Sequence, residues 1–153
     1  MANTYTQIHL HLVFAVKYRD GLIRTAWKDE LYQYITGIIQ NNKHKLLIIN
    51  GMPDHLHILI GFRPHQSLSE LLKAIKQMSS LWINDRKLTV GKFAWQEGYG
   101  AFSYSHSQLP EVIEYIAKQE EHHQKYSFAK EYKRFLELFG IDFQEGFVFK
   151  EPE

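Results

Sequence analysis

The chain has 153 residues, enough for one domain with a single hydrophobic core. Hydrophobic residues make up 44% of it and aromatic residues 14%, which excludes a disordered chain and a membrane-embedded one. The sequence has no cysteine, which excludes a disulfide framework, a thiolate metal site and a cysteine nucleophile. No basic segment precedes an apolar run near the N-terminus, so we expect a cytoplasmic protein without a membrane anchor. The net charge of +1 provides no general basic excess, so any phosphate-binding surface has to be local.

The first part of the chain alternates between strand and helix patterns. Residues 5–16 alternate in polarity and predict a strand, with Leu10 and Leu12 on one face and His9 and His11 on the other. From Thr25, interpreted as an N-cap, apolar residues recur at helical spacing to about residue 40. Residues 45–50 predict a buried strand, and residues 51–54 turn it into a second strand, 55–61, as a hairpin.

Two more segments complete a recognisable order of elements. The pattern from Ser67 to Glu70 is a capping box, and it opens a second helix whose apolar stripe includes Met78. Residues 93–105 are rich in aromatics and predict a fourth strand. The resulting β-α-β-β-α-β order is typical of ferredoxin-like and RNA-recognition domains, which are α+β folds with an antiparallel sheet and both helices on one face.

Helical periodicity continues through the last third of the chain. One helix is predicted for about residues 109–126 and another for about 128–139, where Gly140 ends it. A last short strand is predicted at 147–149. We expect a single domain over residues 1–153, with a ferredoxin-like core at 1–105 and the two additional helices at 106–140. Gly98 and Gly100 offer a hinge between these parts.

Two histidines at alternate positions of the third strand, His55 and His57, are the first candidates for a metal site. Their side chains share one face and their backbones are roughly 6.6 Å apart, so both rings can reach one divalent ion. The pair alone is weak evidence, since two polar residues facing solvent give the same pattern. His9 and His11 form a rival pair in the first strand. We interpret His9 as a hydrogen-bonded core residue and leave the role of His11 open.

The third predicted helix carries a tyrosine on its polar face. Val112 and Ile116 belong to the apolar stripe of this helix, whereas Tyr115 lies roughly 130° from the centre of the stripe. Gln119 lies one turn further along on the same side as Tyr115. Because a packed tyrosine is expected within the stripe, this position favours a chemical role. The end of the helix carries four further polar residues, Glu120, Glu121, His122 and His123. They either supply further metal ligands or are simply solvated.

Together these segments resemble the single-tyrosine HUH transposases of bacterial insertion sequences, the insertion-sequence 200/605 group. The resemblance covers nearly the whole chain and depends on the combination of its motifs, because each motif alone is weak. The segments that carry it are VFAVKYR (13–19), NGMPDHLHILI (50–60), WQEGYGAFS (95–103) and YIAKQEEHH (115–123).

The resemblance implies a fold, an activity and a set of residue roles. The fold is the HUH endonuclease fold, in agreement with the predicted order of elements. His55 and His57 would hold a divalent metal ion, Mg²⁺ or Mn²⁺, with Gln119 as the third ligand and Tyr115 as the nucleophile. The implied activity is metal-dependent cleavage and rejoining of single-stranded DNA at insertion-sequence ends, through a 5′-phosphotyrosine and a free 3′-hydroxyl. The implied partners are DNA hairpins near those ends and a second copy of the chain, in a bacterial or archaeal homodimer that can exchange tyrosine helices.

Contacts to DNA are less determined by the sequence. The candidates for phosphate binding are basic residues beside the first strand and on the second helix: Lys17, Arg19, Arg24, Lys73 and Lys76. Three other functions stay open. A domesticated relative would cut chromosomal hairpin repeats, a non-catalytic module would only bind single-stranded nucleic acid, and a metal-dependent hydrolase would act on small phosphoesters.

Overall fold

The computed structural model describes residues 3–153. Its centre is a four-stranded antiparallel sheet in the order β2-β3-β1-β4, with β1 His9–Ala15, β2 Lys45–Met52, β3 His55–Gly61 and β4 Gly100–Tyr104. Helix α1, Thr25–Asn41, connects β1 to β2, and helix α2, Leu68–Asp85, connects β3 to β4. The predicted α+β fold with its β-α-β-β-α-β order is confirmed. Three helices follow: α3 Leu109–Ala117, α4 Gln119–His123 and α5 Phe128–Leu138.

One face of the sheet carries the main hydrophobic core. In the two central strands Leu12 pairs with Ile58 and Phe14 with Leu56, and all four side chains are fully buried. They pack with the apolar stripes of α1 and α2 in one cluster. Because side chains alternate along a strand, the histidines at odd positions of β1 and β3 point to the opposite face.

The opposite face is covered by the C-terminal helices. Leu59 packs against Val112 and Ile116 of α3. Phe135 of α5 stacks on Phe102 of β4, with ring centroids 5.2 Å apart. His11, His55 and His57 on this face of the sheet therefore lie inside the molecule and not in solvent.

Some predicted element boundaries were wrong. Thr25 is the first helical residue of α1 and not its N-cap, which is Arg24 without a side-chain cap. Strand β2, predicted to be buried, is an edge strand with mostly half-buried side chains. Only residues 100–104 of the predicted 93–105 strand form β4, although Trp95 makes an isolated bridge with Val16.

Helix α2 agrees with its predicted cap but not with every position of its stripe. The Ser67 hydroxyl accepts a hydrogen bond from the backbone N–H of Glu70 at 3.1 Å, as the capping box requires. Met78, assigned to the apolar stripe, is 42% exposed, and the neighbouring Ser79 is buried. The Ser79 hydroxyl donates to the carbonyl oxygen of Ile75 at 2.6 Å, which allows a polar side chain at a buried helix position.

The single helix predicted for residues 109–126 is broken at Lys118, whose backbone is not helical (φ −102°, ψ 32°). Asn50 of β2 explains the break. Its side-chain amide donates to the carbonyl oxygens of Ile116 and Ala117 at 2.9 and 3.3 Å and so satisfies groups that the next helical turn would otherwise use. Helix α4 then begins at Gln119.

The C-terminal tail and Gly100, the first residue of β4, also differ from expectation. Residues 141–153 contain a short 3₁₀ helix, Glu145–Phe147, and no strand. Phe149 packs on Tyr132 with ring centroids 4.8 Å apart. Gly100 has a packing role, because a Cβ there would lie 2.7 Å from the Tyr132 ring. Close packing against Tyr132 therefore explains a glycine at this position without a hinge.

Candidate active site

The metal-site candidates His55 and His57 lie at the centre of the face that the C-terminal helices cover. Both side chains are fully buried, and their ring centroids are 5.0 Å apart. The β2–β3 hairpin holds them, since Met52 pairs with His55 and Gly51 with Leu56. The predicted pair of adjacent imidazoles is present, but it lies in the interior and not at a solvent-facing surface.

Hydrogen bonds fix which ring nitrogens of the pair point inward. His55 Nδ1 is 2.7 Å from the Asp54 carboxylate, and His57 Nδ1 is 2.7 Å from His11 Nε2. Each contact uses the Nδ1 atom and leaves Nε2 for the centre of the site. The interpretation of His9 as the core histidine was wrong, since His11 is fully buried while His9 is partly exposed.

Helices α4 and α5 bring three more polar side chains to this centre. Gln119 Oε1 is 3.0 Å from His55 Nε2 and 3.2 Å from His123 Nε2. Glu131 Oε1 is 3.0 Å from His57 Nε2 and 3.2 Å from His123 Nε2. Gln119 was expected here by resemblance, and His123 was one of several alternatives.

Glu131 is the member of the site that the sequence analysis missed. It is 2% exposed, and its neighbours on the buried side of α5 are Phe128, Tyr132 and Leu136. A carboxylate within an apolar helical stripe is unusual, because burying a charge is unfavourable without a partner. That interruption of the stripe was the available signal.

Tyr115 meets the site from α3. Its hydroxyl donates a hydrogen bond to Glu131 Oε2, and its ring lies edge-on to His57 with centroids 6.2 Å apart. The ring also stacks on His122 at 4.4 Å and contacts Phe135 at 5.7 Å. Tyr115 packs against the cluster that contains Val112 and Ile116, so its expected place on a polar face of the helix was wrong. Helix α5 covers this side of α3 through Phe135 and leaves the phenol half-buried.

The electrostatics of the site favour a carboxylate anion beside a protonated phenol. Burial opposes ionisation of Glu131, yet its contacts with the imidazoles of His123, His55 and His57 hold its pKa well below the usual range. Burial lowers the pKa of His55, but its bonds to Asp54 and Glu131 outweigh that effect and raise it. Burial and the adjacent Glu131 carboxylate raise the pKa of Tyr115. The phenol therefore needs activation before it can act as a nucleophile.

The donor atoms fit a divalent cation. One ligand atom each from His55, His57, His123 and Glu131 lie within 4.8 Å of one another. Glu131 Oε1 is 3.0 to 3.4 Å from the three Nε2 atoms. Ligands about 2.1 Å from one ion are separated by roughly 3.0 to 3.4 Å in octahedral or tetrahedral geometry, so these distances suit a shared ion. Imidazole, amide and carboxylate donors together match Mn²⁺ better than a purely oxygen-binding ion.

Comparison with known proteins identifies the family. Residues 4–119 match the profile of the family described as "Transposase IS200 like", which is more than half of the chain. The chain belongs to the family of IS200-like transposases. A curated relative, the ISDra2 transposase TnpA of Deinococcus radiodurans, is 25% identical over 118 residues, covering 74% of this chain and 84% of the relative.

Two solved structures show that the family fold is shared. A crystal structure of a Deinococcus radiodurans R1 protein superposes with a TM-score of 0.59 at 24% identity, covering 78% of this chain and 96% of that one. A REP-associated tyrosine transposase bound to a REP hairpin gives a TM-score of 0.61 at 14% identity, covering 100% of this chain and 96% of that one. The fold of this IS200-like transposase is therefore the HUH fold, as the resemblance implied. Across residues 3–153, no helix combines the length and apolar character needed to cross a membrane.

The predicted phosphate-binding residues of this transposase do not form one surface. Lys76 Nζ lies 5.6 Å from the centre of the Phe14 ring, so α2 packs on the face opposite the histidine site. Lys76 also donates to the carbonyl oxygens of Gln96 and Gly98 and is half-buried, while Lys73 on the same helix is exposed. These two residues are thus separated from the site by the sheet.

The other basic candidates, Lys17, Arg19 and Arg24, are exposed. Arg19 lines a groove of about 530 Å³ that reaches Asp54 and His123 at the edge of the transposase site. A second groove, of about 390 Å³, opens directly beside the nucleophile candidate. Its aromatic and charged lining is Tyr104, Glu111, Tyr115, Tyr126, Glu131, Arg134, Phe135 and Glu137. Arg134 was not among the predicted DNA contacts.

Proposed function

We propose that this IS200-like transposase cleaves and rejoins single-stranded DNA by transesterification, with Tyr115 as the nucleophile. The observation that carries the proposal is the placement of the Tyr115 phenol beside His57 within the same chain, next to donors that suit a divalent ion. Family membership supports DNA transposition as the overall process. The roles of individual residues are proposed from the geometry of the site.

The proposed reaction exchanges one phosphoester for another. The Tyr115 oxygen forms a bond to the scissile phosphorus and the bond to the 3′ oxygen breaks, which gives a 5′-phosphotyrosine and a 3′-hydroxyl. The phenol proton is lost and the 3′ oxygen gains one, so the step is balanced. Because the phosphoester energy is kept, a second 3′-hydroxyl can reverse the step and join new ends without a further energy source.

The side chains of the site would hold the phenol and a cation in place for this chemistry. His55, His57 and Gln119 would bind Mg²⁺ or Mn²⁺, which as a Lewis acid polarises phosphate oxygens and stabilises charge on the leaving oxygen. Asp54 and His11 keep Nε2 of both imidazoles directed at that position. Glu131 accepts the hydrogen bond of the phenol and fixes its direction.

The DNA partners are proposed from the grooves and from the comparison structures. We propose that single-stranded DNA enters along the groove beside Tyr115, where exposed Arg134 offers a phosphate contact and aromatic side chains offer stacking surfaces. Arg19, and with it Lys17, would contact DNA along the neighbouring groove. Binding of a hairpin near an insertion-sequence end is supported by the REP hairpin in the complex of similar fold.

The test is adduct formation. The protein is incubated with single-stranded oligonucleotides from the flanks of its own gene and Mn²⁺ or Mg²⁺, and a denaturation-resistant protein–DNA adduct is sought on a gel. We expect an adduct that maps to Tyr115 and disappears with EDTA, with Tyr115→Phe and with His55→Ala. Tyr34→Phe, on α1 against Trp82, serves as the matched control and should form the adduct normally.

The outcomes separate the remaining alternatives. An adduct that persists in Tyr115→Phe removes Tyr115 from its role. Hairpin binding without any adduct at either metal supports a non-catalytic module. Turnover of small phosphoesters without an adduct supports the hydrolase.

A second candidate, a domesticated relative that cuts chromosomal hairpin repeats, is favoured by one observation. The REP-associated transposase structure superposes over 100% of this chain, whereas the Deinococcus radiodurans structure superposes over 78%. The C-terminal helices are therefore shared in fold with the REP-associated protein. The same gel assay distinguishes the candidates, because repeat hairpins from elsewhere in the genome would then be cut in preference to the flanks of the gene.

A further inference from the structure

Glu131 is a buried charged residue that the family match does not reach. The matched region ends at residue 119, and Glu131 lies on α5, 12 residues beyond Gln119. Its side chain is 2% exposed. A carboxylate in such a position is strongly unfavourable unless it is paired or binds a metal, so its presence calls for a specific partner.

The two carboxylate oxygens of Glu131 have different partners. Oε1 faces three imidazole Nε2 atoms, of His57 at 3.0 Å, His123 at 3.2 Å and His55 at 3.4 Å. Oε2 accepts hydrogen bonds from the Tyr115 hydroxyl and from Gln119 Nε2, the latter at 3.1 Å. One oxygen therefore faces the histidines and the other faces the nucleophile.

A simple ion pair does not explain this convergence. One protonated imidazole is enough to neutralise a carboxylate, whereas here three imidazoles meet at a single oxygen. Gln119 Oε1, an acceptor, also points at Nε2 of His55 and His123. Several lone-pair donors directed at one small volume are what a metal ion requires.

We propose that Glu131 joins the cation to the nucleophile: Oε1 is an anionic ligand of the divalent ion, and Oε2 positions the Tyr115 phenol beside it. The inference rests on the proposed function of the same site and adds a ligand from outside the matched region. It has two consequences. The ligand set of neutral imidazoles and an amide becomes anionic, which raises cation affinity, and helix α5 becomes part of the site.

The test measures Mn²⁺ binding without DNA, from the free-ion signal in electron paramagnetic resonance. Glu131→Gln keeps the size of the side chain and removes its charge, and we expect Mn²⁺ affinity to fall by about tenfold or more. Glu121→Gln, an exposed residue on α4 with the same change of charge, is the matched control and should bind as the unmodified protein does.

A second measurement follows the tyrosine. With tyrosine labelled by ¹³C at the ring carbon that bears the hydroxyl, the Tyr115 resonance is assigned from Tyr115→Phe. We expect it to shift in Glu131→Gln and to stay in place in Glu121→Gln. A folded Glu131→Gln with unchanged Mn²⁺ affinity and an unmoved Tyr115 resonance overturns the proposal.

Glu131→Asp covers the case in which the glutamine variant does not fold. It keeps the charge but withdraws the carboxylate by one methylene, so both the Mn²⁺ affinity and the Tyr115 resonance should change. Wild-type values of both in the aspartate variant also overturn the proposal. If the unmodified protein forms no DNA adduct while Glu131→Gln loses Mn²⁺, the ligand role stands and the transesterification proposal fails.

Discussion

At the scale of single residues, His11 decides which nitrogen of His57 is available to an ion. His57 Nε2 has a free lone pair only when Nδ1 carries the ring proton. Nδ1 then donates a hydrogen bond to His11 Nε2, 2.7 Å away. Burial holds the pKa of His11 well below its ordinary value, which keeps this acceptor neutral. The remaining proton of His11 is then on Nδ1, a buried atom with no hydrogen-bond partner among residues 3–153.

We predict that His11→Ala weakens Mn²⁺ binding by about tenfold, because His57 loses the acceptor that selects its tautomer. His11→Gln offers an amide oxygen as a replacement acceptor and should recover most of the affinity. Ring ¹⁵N spectra of His57 report the tautomer directly, and His9→Ala, at a partly exposed position of the same strand, is the control. An unchanged His57 tautomer in His11→Ala would show that His11 only fills space.

The residues of the site were predictable to different degrees. Alternation in a strand and periodicity in a helix placed His55 with His57 and Tyr115 with Gln119, because each pair lies within a short segment. Glu131 is 74 residues from His57 in sequence. It was missed because no local pattern predicts that α5 packs over the sheet. The face of α3 that carries Tyr115 was predicted to be polar because its cover by α5 could not be seen in the sequence.

At the scale of elements, the β2–β3 hairpin sets the position of the histidine pair, and Gly51 is its tightest point. A Cβ at this residue would lie 2.3 Å from the carbonyl oxygen of His55. The backbone has to shift to accept any side chain there, and the shift falls on the residue that would bind the ion.

We predict that Gly51→Ala lowers the free energy of unfolding by about 1–3 kcal/mol, the usual cost of overpacking. It should also weaken Mn²⁺ binding. Gly37→Ala is the matched control, since Gly37 is inside α1 with nothing within 4 Å of the added methyl group. That change should stabilise the protein by about 0.5–1 kcal/mol through helix propensity. Urea denaturation of both variants tests the pair, and wild-type stability in Gly51→Ala would contradict the account of the turn.

The same hairpin shows why boundaries were harder to predict than elements. Proline and aspartate in the turn and an apolar run after it were enough to predict the hairpin. The end of α3, in contrast, depends on Asn50, whose amide contacts the carbonyl oxygens of Ile116 and Ala117. A contact between residues this far apart leaves no periodic signal in either segment, so one long helix was predicted where two exist.

At the scale of the whole molecule, the resemblance implies a homodimer in which each tyrosine helix can serve the partner's histidines. Here Tyr115 lies within its own chain's site. Its hydroxyl donates a hydrogen bond to Glu131, and its ring lies edge-on to His57. The contact between Gly100 and Tyr132 further ties β4 to α5 in the same chain. Dimerisation itself stays a prediction, to be measured as the mass in solution.

We predict that catalysis in this arrangement does not need a second chain. Tyr115→Phe and His57→Ala each lack one half of the site, and they are co-expressed with different tags so that any dimer can form mixed pairs. A site assembled within one chain gives no adduct from the mixed preparation beyond that of each variant alone. Exchange of tyrosine helices would instead restore an adduct, on the His57→Ala chain, because that chain keeps its tyrosine and would borrow intact histidines. The presence or absence of an adduct in the mixed preparation therefore distinguishes the two arrangements even where the mass in solution is that of a dimer.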